Sequence, residues 1–237
     1  MRMAVAAGTA VAAGLMRGFA GFGSGMLMAP VFAILFGPID AVTMVTVLEL
    51  FASVQLVPQV LNETEWRLVG PLGVSAALLM PLGAHVLGSA DPAFLTRAMA
   101  AVVLLFVIGL MTGWRYRGET KLLPTLGVGA VSGVMMAATS MGNPPVLLYM
   151  LASERRATTN RANIIAYFAM THVVLLAVLG SMALLTLPAL VRAILLMPGY
   201  LLAAGLGARL FQQSSERIYR HTATAFLLCI AVFGLLH

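Results

Sequence analysis

Charged side chains are what this chain has least of. Only 9% of its 237 residues are charged, 8 acidic against 14 basic, while 61% are hydrophobic. A soluble domain carries about 25% charged residues, so a soluble globular fold is excluded and an all-α polytopic membrane protein is expected. Cysteine is almost missing as well. Cys229 stands alone in an apolar run, which excludes an internal disulfide and any metal site built from cysteines. No paired carboxylates, His-Glu-x-x-His or Gly-x-Ser-x-Gly pattern occurs, so nothing points to intramembrane catalysis, and neither an enzyme nor a cofactor is expected. The formal net charge of +6 draws attention to nucleic acid. The basic residues, however, fall in short clusters between apolar runs and form no solvated face, so nucleic acid is not expected as a partner and the bilayer is. The opening Met1-Arg2 and its Ala/Val/Gly run resemble a signal peptide. A second apolar stretch follows almost at once, so the run is read as an uncleaved first membrane segment.

What the chain does have is long apolar runs, interrupted twice. A helix needs about 20 apolar residues to cross a bilayer. Residues 41–61, 68–87, 93–114, 163–185, 189–210 and 219–236 reach or approach that length. Residues 3–19 and 24–36 flank a first interruption, and 122–139 and 144–151 flank a second. The second is Gly142-Asn143-Pro144-Pro145. Two prolines cannot lie in a helix interior, but at a first turn the missing N–H costs nothing, and Asn is a favoured cap just before it. The first is Gly21-Phe22-Gly23-Ser24-Gly25, followed by Pro30. Each reads as a helix that stops at membrane depth and a fresh helix that starts there. Each start leaves N–H groups pointing into a low-dielectric space, where an anion is favoured.

The order broken pair, then three spans, occurs twice, which divides the chain into repeats 1–118 and 119–237 of one membrane domain. Superposing Pro30 on Pro145 places Ser24 on Thr139 and brings Ala41-Val42-Thr43 to within one residue of Ala157-Thr158-Thr159. Met80-Pro81-Leu82-Gly83-Ala84-His85 echoes Gly205-Leu206-Gly207-Ala208-Arg209. If each broken pair enters and leaves on one side, the linkers near 62–67, 115–121, 153–161 and 209–220 share a face. They carry Arg67, Arg115, Arg117, Lys121, Arg155, Arg156, Arg161, Arg209, Arg217 and Arg220, against Arg2, Arg97 and Arg192 opposite. The rich face is then cytoplasmic, and the halves are inverted relative to each other. Inverted repeats with broken helices at matching positions point to a secondary transporter.

The substrate-binding candidates are the residues of the two breaks: Gly23, Ser24, Gly25, Thr139, Ser140, Gly142 and Asn143. The glycines let a substrate approach the backbone closely, and the short polar side chains add hydrogen bonds. The competing account is that these are kinks and small-residue packing contacts. Arg17, about one turn before the first break, either attracts an anion or extends to an interface. Glu49, well inside a span, is a coupling candidate, with a pair to Arg17 or a bond to a neighbouring helix as the alternative. His172 and Gln55 lie at similar depths; His172 is the second coupling candidate, against a packing role. Arg155, Arg156 and Arg161 flank the second exit, either as a vestibule that gathers anions or as topology signals. The 16 methionines are scattered and read as packing.

Two stretches resemble a known family. Gly21-Phe22-Gly23-Ser24-Gly25 with Pro30 and Ala41-Val42-Thr43 is similar to the first-half signature of the sulfite exporter TauE/SafE family. Gly142-Asn143-Pro144-Pro145-Val146-Leu147-Leu148-Tyr149, with Arg161 later, is similar to its second-half Gly/Pro motif. The resemblance spans about residues 4–236. Ser24 and Asn143 stand where glycine is common in the family, and both add polar groups at the proposed site. The resemblance implies an inner-membrane exporter of a small sulfur-containing anion such as sulfite, a sulfonate or thiosulfate, driven by an ion gradient. Another small anion such as a carboxylate, a passive anion channel and a non-transporting scaffold remain open, as does assembly of copies of the chain into a homo-oligomer.

Overall fold

The computed structural model describes residues 1–111, 121–141, 143–151 and 156–213. Gly142, Arg155, the linker with Arg115 and Arg117, the boundary between the two expected repeats, and the last expected span with Arg217, Arg220 and Cys229 lie outside these. Among the described residues there are nine α-helices and no strand: α1 (Arg2–Ala20), α2 (Ser24–Phe36), α3 (Pro38–Leu56), α4 (Trp66–Ser89), α5 (Pro92–Met111), α6 (Leu122–Thr139), α7 (Asn143–Leu151), α8 (Ala157–Ser181) and α9 (Leu187–Gln212). Six of them are long and apolar enough to cross a membrane: α1, α3 with its 3-10 extension to Gln59, α4, α6, α8 and α9.

Both interruptions are where the sequence puts them. α1 stops at Gly21 and α2 starts after Gly23, two residues in the left-handed region at φ 83 and 91 that only glycine enters without strain. α7 starts at Asn143, with Pro144 and Pro145 in its first turn. Boundaries differ elsewhere. α3 starts at Pro38, before residue 41, because Gly37 and a proline at the first helical position make a ready start. α8 starts at Ala157, well before residue 163. Its polar first turns are held by tertiary contacts: Asn160, Arg161 and Asn163 are all buried, and Asn163 Oδ1 accepts the Glu65 backbone N–H at 2.7 Å. The superposition of Pro30 on Pro145 is also displaced. Pro30 lies inside α2, and a single shift along the chain carries Gly21 onto Ser140, Ser24 onto Asn143 and Pro38 onto Ala157 as matching helix ends.

Small residues set the packing. α1 and α9 lie parallel and touch through their backbones: a β-carbon on Gly14 would fall 2.4 Å from the Tyr200 carbonyl oxygen, one on Gly18 1.9 Å from that of Ala204, and one on Gly207 2.3 Å from that of Leu15. α4 and α6 form a second parallel seam. There Gly83 meets Val134, Gly129 meets Leu72 and Gly133 meets Ala76, each with its would-be β-carbon within 2.4 Å of a carbonyl oxygen. Apolar helices in lipid gain nothing from hydrophobic burial, so such close contact is a main source of their cohesion.

Two polar clamps mark the helix ends. Asp40, in the first turn of α3, pairs with Arg192 of α9 at 2.5 Å and accepts from the Thr186 hydroxyl at 2.6 Å, and the Arg192 guanidinium lies over the Phe36 ring. Thus α3 and α9 start side by side, and α2, which ends at Phe36, runs back to the end where α1 begins. In the second half, Thr125 near the start of α6 and Tyr149 near the end of α7 share a 2.7 Å hydrogen bond. α6 and α7 therefore also form a hairpin.

Candidate functional site

The last turn of α1 carries Arg17, with no exposed surface, and the middle of α3 carries Glu49, 3% exposed. A lone charge at this depth is very costly, and a close ion pair offsets part of that cost. Arg17 Nε lies 3.0 Å from Glu49 Oε2, the pairing weighed against a coupling role for Glu49. The rest of the guanidinium is also occupied. Nη1 donates to the Gly21 carbonyl, Nη2 to Ser53 Oγ at 3.0 Å, and the group lies 5.2 Å from the centre of the Phe168 ring. The other carboxylate oxygen, Oε1, accepts from the Ser24 hydroxyl and from the Tyr200 hydroxyl at 2.7 Å. One ion pair thereby ties α1, α2, α3 and α9 together, with α8 contributing the aromatic face.

The consequence for the first break is specific. Ser24 is the first residue of α2, so its bond to Glu49 draws a carboxylate to a helix N-terminus. The anion expected there from outside is already present as part of the protein. The opposite, negative end of α1 is neutralised by cations: Arg17 on Gly21, and Arg161 on the carbonyls of Phe19 (3.2 Å) and Gly18 (2.5 Å). Arg161 also lies over the Phe211 ring, 4.3 Å from its centre. Arg161 is thus buried as a cap for α1, while Arg156 is exposed.

At the second break, Ser140 ends α6 at φ 58, a left-handed conformation uncommon for a residue with a side chain. Its hydroxyl is buried and makes no hydrogen bond to any of the described residues. Thr139 is engaged locally, donating to the Met135 carbonyl at 2.6 Å and accepting the Met141 N–H at 3.2 Å. The two breaks touch: a β-carbon on Gly25 would lie 2.7 Å from the Ser140 carbonyl oxygen. Only glycine at position 25 lets the start of α2 meet the end of α6. Gly142 and the Asn143 side chain lie outside the described residues.

His172 is buried one ring away from Arg17. Its ring packs on Phe168 at 5.8 Å between centres, and Nδ1 is 2.7 Å from the Phe168 carbonyl oxygen of its own helix. Gln55 is exposed and stands apart from the cluster. Tyr200, Ser53 and Phe168 belong to the cluster and are absent from the sequence-derived set. Ser53 is legible in principle, one helical turn after Glu49. A lone tyrosine or phenylalanine in an apolar run carries no such mark.

Long apolar helices around a buried ion pair and two abutting helix breaks define a multi-pass membrane protein whose polar centre lies within the bundle. A family model described as sulfite exporter TauE/SafE matches residues 6–234, nearly the whole chain. The chain belongs to the sulfite exporter TauE/SafE family; it is a membrane transporter and not an enzyme. Comparison with curated proteins and with solved structures gave no match.

Proposed function

We propose that this chain is a secondary transporter of the cell inner membrane that exports a small sulfur-containing anion, such as sulfite, a sulfonate or thiosulfate, by alternating access. The observation that carries this reading is the contact of the two breaks at Gly25 and Ser140, which brings a helix start and a buried, unpartnered hydroxyl to one place. The anion would lie there among Gly23, Ser24, Gly25, Ser140, Gly142 and Asn143. Arg17 would supply the charge, while Thr139 would hold the end of α6 rather than donate to the anion. The oxygens of a sulfur anion accept several such donors at once. Inversion of the halves belongs to the same reading. It is supported by the two hairpins: α1–α2 opens beside the start of α9, and α6–α7 opens beside the start of α8, the far end of the bundle.

Ser140→Gly tests the site cleanly, since glycine relaxes the φ 58 backbone while removing the hydroxyl. The expected outcome is a loss of about tenfold in sulfite affinity, the worth of a hydrogen bond to an anion. The reading fails if affinity is unchanged. Asn143→Leu is expected to weaken sulfite binding in a protein that still folds. A small carboxylate is the second reading, favoured by one observation: the start of α2 already accommodates the carboxylate of Glu49. Thermal stabilisation of the purified protein by sulfite, methanesulfonate and acetate separates the two.

A further inference from the structure

We infer that the Glu49 carboxylate is a resident anion, which the transported anion displaces and which yields its place only by taking a proton. The inference rests on the reading just given and adds the coupling rule of that site. It follows from counting charge in a closed space. Arg17 and Glu49 are buried together and sum to zero. A further anion beside them would be an uncompensated charge in low dielectric, which the bundle does not tolerate. Ser24, Tyr200 and Arg17 are the donors an incoming anion needs, and all three are held by Glu49.

Protonation resolves both conflicts. A proton binds to one oxygen of Glu49, the carboxylate becomes a neutral acid, and Arg17 is left as a cation with vacant donors around it. A monovalent anion then restores neutrality. One proton is bound for each such anion that enters and released when it leaves. By linkage, acid tightens anion binding and the anion favours the protonated acid to the same degree.

Three groups that titrate or carry charge face Glu49: Arg17 on α1, Tyr200 on α9 and His172 on α8, the last within electrostatic reach of both members of the pair. α2 contributes only the Ser24 hydroxyl. Other ionisable side chains described on the helices packed against α3 face elsewhere. Tyr167 donates to Ser132, Arg161 to the carbonyls of α1 and Arg192 to Asp40, while Arg67, His85, Arg97 and Arg209 are exposed.

Sulfite binding to the purified protein across acid and neutral pH, for wild type and Glu49→Gln, tests the rule. Both proteins meet the same sulfite, so its own protonation cancels in the comparison. Wild type is expected to bind more tightly in acid relative to Glu49→Gln. At neutral pH the variant is expected to bind more tightly than wild type, because its competitor is gone. Equal pH dependence in the two proteins, or weaker binding by the variant, overturns the inference and leaves the transport reading standing. No sulfite binding or uptake by wild type at any pH overturns both. Should Glu49→Gln prove unstable, its melting temperature must rise with sulfite by more than that of wild type, and no such rise also overturns the inference. Arg17→Gln/Glu49→Gln, which removes both charges, is expected to fold and to lose sulfite binding; binding that survives in it overturns the inference.

Discussion

Each oxygen of the Glu49 carboxylate has its own kind of partner, a cation on one and two hydroxyls on the other. Hydrogen bonds to a charged acceptor are worth about 1.5–3 kcal/mol, against about 1 kcal/mol for neutral pairs. Tyr200→Phe is therefore expected to cost more stability than Tyr167→Phe, which removes only the neutral 2.8 Å bond to Ser132. Thermal unfolding in detergent reads the difference, and equal losses would mean that Glu49 is not held as an anion. The two ends of this network differed in how plainly the sequence announced them. Arg17 and Glu49 stand out because charge at that depth is rare, and their pairing was the alternative weighed for Glu49. Tyr200 did not stand out, since an aromatic residue in an apolar run equally suits a membrane interface. Nothing local to it records that Glu49, far away in the chain, ends beside its hydroxyl.

At the level of helices, the seams of α1 with α9 and of α4 with α6 leave no room for a methyl group. Gly18→Ala and Gly133→Ala are each expected to destabilise the protein by about 1–3 kcal/mol through overpacking. Gly127, with nothing within 4 Å of a would-be β-carbon, serves as the control. Gly127→Ala is expected to be neutral or to gain up to about 1 kcal/mol in helix propensity. A melting temperature that falls as much for position 127 as for 18 and 133 would refute the seams. Helix interruptions were legible because proline pairs and clustered glycines have few conformations to choose from. Helix starts were less so. The polar stretch before residue 163 has the composition of a linker, yet it is helix from Ala157, because Arg161 donates to carbonyls of α1 and Asn163 accepts the Glu65 backbone N–H. Prolines were a poor guide to register for the same kind of reason: Pro71, Pro81 and Pro198 all lie inside long helices, where neighbouring segments can satisfy the freed carbonyls.

For the whole molecule, the arrangement of helices fixes which residues share a side of the membrane. Asp91, just before α5, and Lys121, just before α6, are exposed near opposite ends of the bundle. With Cys229 replaced by serine, Asp91→Cys and Lys121→Cys are expected to react with a membrane-impermeant thiol reagent from opposite faces. Labelling of both from one face would refute the topology. The all-helical class followed directly from composition, because only a helix or a closed barrel satisfies its backbone in lipid. Which helix packs on which did not follow, since a lipid-facing side and a packed side are both apolar and sequence periodicity cannot separate them.

The two glycine seams also cut across the order of the chain. Each fastens a helix that carries a break to a long helix from the other half, α1 to α9 and α6 to α4. Any rearrangement that keeps those seams closed carries α1 along with α9 and α6 along with α4. The rigid bodies of such a motion are therefore composites drawn from both halves. Beside these composites the start of α2 meets the end of α6 at Gly25 and Ser140, where a shift of one atomic diameter would change both breaks together.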